Sequence, residues 1–475
     1  MAVKAQMSLE QMVEPFVGIQ IGAISFADEG VPEVLDRLGE LASVNALFVA
    51  TQSFDRGVQG RQIAGRPWPG HGPDEPDDHA GGSYVTQHPE FYAGTVLKPF
   101  RATDREVAGQ DVLARVLPEA RTRGMKVYSF VLENTHSGLT RAVPNWPKVL
   151  QVDAWGRRDR YACVRNPDYV AWWLSLVEDQ VKSYPLDGLM FGSERNGPLG
   201  NVLGNGGFAR DGRAYCFCPY CERAGRDAGI DPARAREGYL ALYRLARGED
   251  DPDGDSGLVA FLRLLLTYPE ILAWERLWHD GYQSLQQQIY GTVKFLAPDV
   301  QVGWHVWHHN SFSPLYRAEM SFAPMAAYSD FIKPVLYDRC AGYRIHNHIT
   351  QVANSIFRGV DPQTVYDLYR QVLGYDEVTR FEDLPGRGLS ADYVRRETAR
   401  TVGAVAGHAA VYPGLDAGVP TPAHVSQVTP ADISASVTAA LDAGAGGVIL
   451  SRKYSEIRLD TLAAVGDTFR ARASR

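Results

Sequence analysis

The chain has 475 residues with 48 basic against 56 acidic side chains, a net charge of −8, so it lacks the electrostatic footprint of a nucleic-acid binder. Charged residues make up 22% and hydrophobic ones 45%, the balance of an ordinary folded chain rather than a disordered one. No run of about 18 apolar residues occurs, which excludes a helical membrane span.

The first 14 residues, MAVKAQMSLEQMVE, lack the apolar stretch and small-residue cleavage site of a secretion signal, so the expected location is the cytoplasm. From there, eight short runs rich in β-branched and aromatic residues follow one another: 16–25, 46–52, 126–134, 188–194, 301–308, 331–338, 409–416 and 446–452. Most are followed by a helical pattern, which is the signature of a parallel α/β fold. After the first run, Val31, Val34, Leu35, Leu38 and Leu41 fall on one helical face. Asn166 as N-cap and Pro167 at the first helical position open another helix, with Val170, Trp173, Leu174, Val177 and Val181 on one side.

Eight strand–helix pairs predict a (β/α)8 TIM barrel, one domain over 1–475 with inserted loops at 54–104, 195–231 and 339–393. Those loops follow strands, so in a barrel they lie on the face where catalysis occurs. An open doubly wound sheet is the alternative, but Ala23-Ile24-Ser25-Phe26-Ala27-Asp28 stands where a Gly-rich dinucleotide fingerprint belongs. Residues 248–257 read as a solvated loop. Asp251, Asp253 and Asp255 mimic the start of a calcium loop, but Ser256 replaces its glycine and Leu262 its closing Glu.

Cys216, Cys218 and Cys221 put three thiols within six residues around Pro219, a pattern suited to tetrahedral zinc. Cys163 is the best fourth ligand, since Cys340 follows the sixth strand on another sector. A closed four-thiolate site is structural; unligated thiols are the alternative.

Carboxyl pairs able to act as acid, base or nucleophile come, in a barrel, from strand ends. Glu133, Glu194, Asp338, Asp416 and Glu456 occupy such positions. Glu194 ends an apolar run containing Gly188 and Gly192, where burial could raise its pKa as a general acid requires; the plainer reading is a salt bridge with Arg195. Asp416 sits in a turn-rich frame, so an Asx turn or N-cap competes with catalysis. In the fifth strand, alternation puts His305 and Trp307 on one face and Trp304 and His308 on the other, an arrangement able to stack on and hydrogen-bond a sugar. His305, His308 and His309 with Asp338 could instead hold a catalytic metal. Arg452, beside Lys453, Tyr454 and Glu456, could take an anionic substrate group, or form a surface ion pair.

The combination of Tyr161-Ala162-Cys163-Val164-Arg165-Asn166-Pro167-Asp168-Tyr169, a strand ending in Glu194, and Cys216-x-Cys218-x-x-Cys221 resembles the zinc-bearing β-galactosidases of glycoside hydrolase family 42, over roughly residues 125–230. The resemblance implies a barrel of the large retaining-glycosidase clan with Glu194 as acid/base. Ser193 stands where the clan has Asn, and Asp416 where it has a Glu nucleophile, and over its whole length the chain looks more like bacterial glycosidase-like TIM barrels, so β-galactosidase specificity does not carry over. The expected function is thus hydrolysis of a glycoside by Glu194 and Asp416, with retention of configuration implied by the clan resemblance. The expected substrate contacts are Glu133, Arg195, His305, Trp307, Tyr337, Asp338, Arg452 and Glu456, with structural zinc on the cysteines. The expected partner is a carbohydrate, with no nucleic acid or membrane; a homo-oligomer is compatible with the sequence. A non-catalytic carbohydrate-binding barrel and a histidine-metal sugar lyase or isomerase are the alternatives.

Overall fold

Strands β1 (Phe16–Ile21), β2 (Ala46–Ser53), β3 (Lys126–Leu132), β4 (Gly188–Ser193), β5 (Gln301–Val306), β6 (Phe331–Leu336), β7 (Gly414–Asp416) and β8 (Gly447–Ser451) pair in parallel, each with the next in sequence. β8 pairs back with β1, Phe16 opposite Gly447, so the sheet closes into a (β/α)8 barrel. The computed structural model describes residues 15–54, 56–61, 70–73, 77–133, 143–204, 212–249, 254, 257–377 and 379–474.

All eight expected strands are present, with two corrections. The first run ends at Ile21, and Ala23–Glu29 is a helix. The seventh is split into Ala410–Val411 and Gly414–Asp416, both paired with β6. Pro413, between the two pieces, has no N–H to offer a ladder.

The lower barrel interior is filled by Phe16, Phe48, Tyr128, Met190, Phe331 and Ile449. Phe48 stacks on Tyr128 at 4.7 Å, and Phe16 on Tyr412 at 4.1 Å. Glycines on neighbouring strands make the room: a Cβ at Gly18 would lie 2.7 Å from the Phe48 ring, at Gly188 2.5 Å from Tyr128, and at Gly303 2.1 Å from Phe331. Gly303→Ala is therefore expected to cost about 2 kcal/mol in urea unfolding, the price of overpacking a closed layer. An unchanged midpoint would mean that Phe331 can swing aside.

Around the barrel, helix Val31–Ala42 buries Val31, Val34, Leu35 and Leu38, as its pattern predicts, while Leu41 is only partly covered. Helix Pro167–Ser183 begins as expected, with the Asn166 side chain accepting from the Asp168 N–H at 3.0 Å. Its buried stripe is Tyr169, Trp172, Trp173, Leu176 and Val177, rotated from the expected one; Val170, Leu174 and Val181 are half-buried.

Much of the described extra length after β4 and β6 is helical. The β4–β5 connection runs well past 231 and, among its described residues, carries five helices, ending in Glu270–Leu296. Beneath it lies a second apolar cluster that includes Cys163, Tyr239 and Trp274. The 339–393 segment contains Pro362–Leu373 and parts of helices Asp338–Asn354 and Ala391–Val405. Residues 1–14, parts of 54–104 and 195–231, and Asp251, Asp253 and Asp255 with Ser256 lie outside the described residues. Among those described, no single helix is long and apolar enough to cross a membrane.

Candidate active site

Glu194 follows β4 at the barrel mouth with its side chain 21% exposed. Its Oε1 lies 3.1 Å from Nε2 of His305, on β5. A Cβ at Gly192 would stand 2.7 Å from that of His305, so the glycine makes room for the imidazole rather than for a ligand. Nδ1 of His305 lies 3.2 Å from Nζ of Lys333 on β6. Lys333 also donates to Oε1 of Gln20 on β1, which accepts from the Ser451 hydroxyl of β8 at 2.7 Å. One polar chain thus crosses the barrel above the aromatic layer.

Its electrostatics have a direction. A protonated Lys333 has only N–H to offer, so Nδ1 of His305 accepts and Nε2–H donates to Glu194. Burial, reinforced by Lys333, pushes His305 down to about 4, leaving it neutral near pH 7. Burial brings Lys333 down to about 7. For Glu194, burial favours the neutral acid, but the hydrogen bond from His305 and the charges of Arg344 and Lys333 outweigh it and hold the carboxyl below its ordinary value.

Arg344, from helix Asp338–Asn354, was not foreseen. Its Nη1 donates to Nδ1 of His308 at 3.0 Å, and the guanidinium lies 5.4 Å from the Tyr337 ring. Nε2–H of His308 then donates to the Tyr393 hydroxyl at 2.9 Å, and Tyr393 to Ser311 at 2.6 Å. Among the described residues Arg344 forms no ion pair within 4.0 Å, leaving its charge to act on Glu194 and on what enters the mouth.

The other carboxylates are placed differently. Asp416 is buried, and its Oδ1 accepts from the N–H groups of Gly418 at 3.2 Å and Val419 at 2.9 Å, an Asx turn. Burial raises its pKa. Asp338 is pushed up to about 8 by burial and by Asp416, and its Oδ2 accepts from Ser436 at 3.0 Å. Glu133 accepts from the Tyr169 hydroxyl at 2.5 Å and from Ser193 at 3.2 Å, and pairs with Arg195. The partner of Arg195 is therefore Glu133, not Glu194. Glu456 takes both Nε and Nη2 of Arg452, at 2.9 and 2.6 Å, with Lys453 3.6 Å away.

Two expectations about β5 are corrected. The strand ends at Val306, so its alternation does not reach Trp307, which is buried 3.7 Å from the His309 ring and 5.5 Å from Tyr316. The histidines diverge: His305 meets Glu194 and Lys333, His308 meets Arg344 and Tyr393, and His309 packs on Trp307. They do not gather with Asp338 into a metal site.

The cysteines do gather. The sulfurs of Cys163, Cys216, Cys218 and Cys221 lie within 4.8 Å of one another, with Cys163 3.5 Å from both Cys218 and Cys221. Four thiolates at about 2.3 Å from one zinc ion would stand about 3.8 Å apart, so the set fits that ion. The Val152 N–H points at the Cys216 sulfur from 3.5 Å, as an outer-shell donor to a thiolate would. Cys340 is elsewhere, 3.8 Å from the Tyr337 carbonyl.

No protein-family model matches the chain, and no curated protein matches it. Among solved structures it is similar to the PgaB (BpsB) glycoside hydrolase domain from Bordetella bronchiseptica, with TM-score 0.52 and 14% identity over 96% of this chain and 98% of that one. It is also similar to the β-galactosidase of the psychrophilic Marinomonas ef1, with TM-score 0.55 and 10% identity over 97% of this chain and 60% of that one. The β-galactosidase of the Antarctic haloarchaeon Halorubrum lacusprofundi gives TM-score 0.55 and 14% identity over 97% and 58%. The chain spans about three-fifths of the length of each β-galactosidase. At these identities the likeness is one of fold: the chain shares its (β/α)8 barrel with structures of glycoside hydrolases.

Proposed function

We propose that the protein is a cytoplasmic glycoside hydrolase, one barrel domain over 1–475, that cleaves a carbohydrate at its barrel mouth with Glu194 and Asp416. The observation that carries this reading is Glu194 at the end of β4, partly exposed and hydrogen-bonded to a neutral His305 that Lys333 orients from below. Family resemblance makes Glu194 the acid/base and Asp416 the nucleophile. The charges support the opposite division. Glu194 is held ionised, as a nucleophile or base must be, while burial favours a proton on Asp416, as an acid requires. Cys163, Cys216, Cys218 and Cys221 would hold zinc as a staple for the β4–β5 connection, with no part in the chemistry.

A panel of aryl glycosides tests the proposal: turnover of at least one member is expected, whereas a carbohydrate-binding barrel would show affinity without turnover. The orienting cations give a second prediction. If ionised Glu194 is required, activity falls as pH drops through its pKa. Lys333→Met and Arg344→Met each remove a charge that lowers this pKa, so each should move the acid limb of the kcat/KM profile up by roughly one pH unit. Unmoved limbs in both variants would detach Glu194 from the rate.

A further inference from the structure

Under the β4–β5 connection, outside the mouth, Glu275 and His279 stand one turn apart on helix Glu270–Leu296 and face Glu319, which ends helix Pro314–Glu319. Their ligand atoms lie within 4.8 Å of one another: Nε2 of His279 is 2.9 Å from Oε2 of Glu319 and 3.9 Å from Oε1 of Glu275. All three side chains are more than nine-tenths buried, with exposures of 6%, 4% and 8% for Glu275, His279 and Glu319. Among the described residues, neither carboxylate has a lysine or arginine within ion-pair distance.

The second oxygen of Glu275 is anchored, accepting from the Leu199 N–H at 2.7 Å and the Tyr239 hydroxyl at 3.0 Å. That anchoring directs Oε1 inward without a hydrogen-bond partner, and Oε1 of Glu319 and both ring nitrogens of His279 have none either. The short His279–Glu319 approach lacks the alignment of a hydrogen bond. A Cβ at Gly197 would lie 1.9 Å from Oε1 of Glu275, so the chain leaves this oxygen its space only because residue 197 is glycine.

Buried carboxylates without a cation are costly, and two remedies exist. Protonation could neutralise them, and burial does raise both, Glu319 to about 7. It would leave His279 with both nitrogens orphaned. A metal ion would neutralise both carboxylates and take one nitrogen of His279: an imidazole nitrogen and two carboxylate oxygens at about 2.0–2.2 Å from one ion would stand about 3.3 Å apart, between the two distances observed. A cavity of about 40 Å³, lined by Asn196, Gly200, Tyr316 and Glu319 among others, adjoins the cluster and has room for a water as a further ligand.

We infer that Glu275, His279 and Glu319 form a second metal site, separate from the cysteines, for a first-row divalent cation. One imidazole with two carboxylates suits zinc or manganese, whereas calcium asks for six or more oxygens. The ion would tie helix Glu270–Leu296, at the end of the β4–β5 connection, to the β5–β6 connection.

Mn²⁺ is the probe, because thiolates select softer ions. The full-length protein is titrated with Mn²⁺ by loss of its free-ion EPR signal, and its melting temperature is followed in parallel. The wild type should take up one Mn²⁺ and melt higher with it, and Cys218→Ser, where it folds, should still take it up. Glu319→Gln and Glu275→Gln should each bind at least about tenfold more weakly, with Mn²⁺ no longer raising their melting temperatures. A wild type that neither binds Mn²⁺ nor melts higher with it overturns the inference, and so does equal binding by wild type and both glutamine variants. The readout is independent of glycosidase activity, so its failure leaves the catalytic proposal intact.

Discussion

Glu194→Gln is expected to lower kcat on an aryl glycoside by roughly a thousandfold or more, with the melting temperature nearly unchanged. Glutamine has the same shape, and its amide oxygen can still accept from Nε2–H of His305, so the network from Glu194 to Lys333 stays connected. What disappears is the charge. If Glu194 is the nucleophile, the loss is similar for good and poor leaving groups, whereas Asp416→Asn, which removes the acid, hurts poor leaving groups most. The reverse pattern would restore the roles implied by the family resemblance. Full turnover by Glu194→Gln would move the search to Asp338, Glu133 and Glu456. The last two start as weaker candidates, because Arg195 and Arg452 already occupy them.

Cys218→Ser should remove the thiolate-bound zinc, measured as a loss of one zinc per chain, and lower stability by on the order of 4 kcal/mol or more. The cluster joins Cys163, just ahead of helix Pro167–Ser183, to Cys218 and Cys221 at the start of helix Pro219–Asp227. Without the ion, three buried thiols and a serine hydroxyl are left pressed together with little to bond to. Cys340→Ser is the control and should retain the zinc. A wild type purified without chelators yet free of zinc, or a Cys218→Ser protein that is equally stable, would sink the assignment.

The barrel was readable because its strands are buried on both faces, and runs such as ALFVATQ and GLMFGS announce themselves without knowledge of the fold. Boundaries were less readable where a local rule intervened, as with the early end of β5, which took Trp307 off the face expected for it. Glu194 and the cysteine cluster were legible from strand position and spacing. Gln20 and Lys333 were missed, although each is a polar interruption of an apolar run, FVGIQI and FIKPVL. In a closed barrel such an interruption points inward, and that signal could have found both. Arg344 gave no such sign, because it reaches the mouth from inside a helix. Glu275, His279 and Glu319 meet across two helices that nothing in the sequence brings together.

The pairing of Phe16 with Gly447 has a consequence for how the molecule is made. The strand that leaves the ribosome first finds one of its two neighbours only when the last strand has emerged. Throughout synthesis β1 and the most recent barrel strand therefore present open ladders of N–H and C=O groups, the kind of edge that recruits other chains. Closure between strands so far apart in sequence is also among the slowest contacts to form, since the entropy of the intervening chain must be surrendered before it is rewarded. A nascent chain stalled before residue 447 is thus expected to be a client for chaperones, and emergence of β8 the step that commits the barrel to its final form.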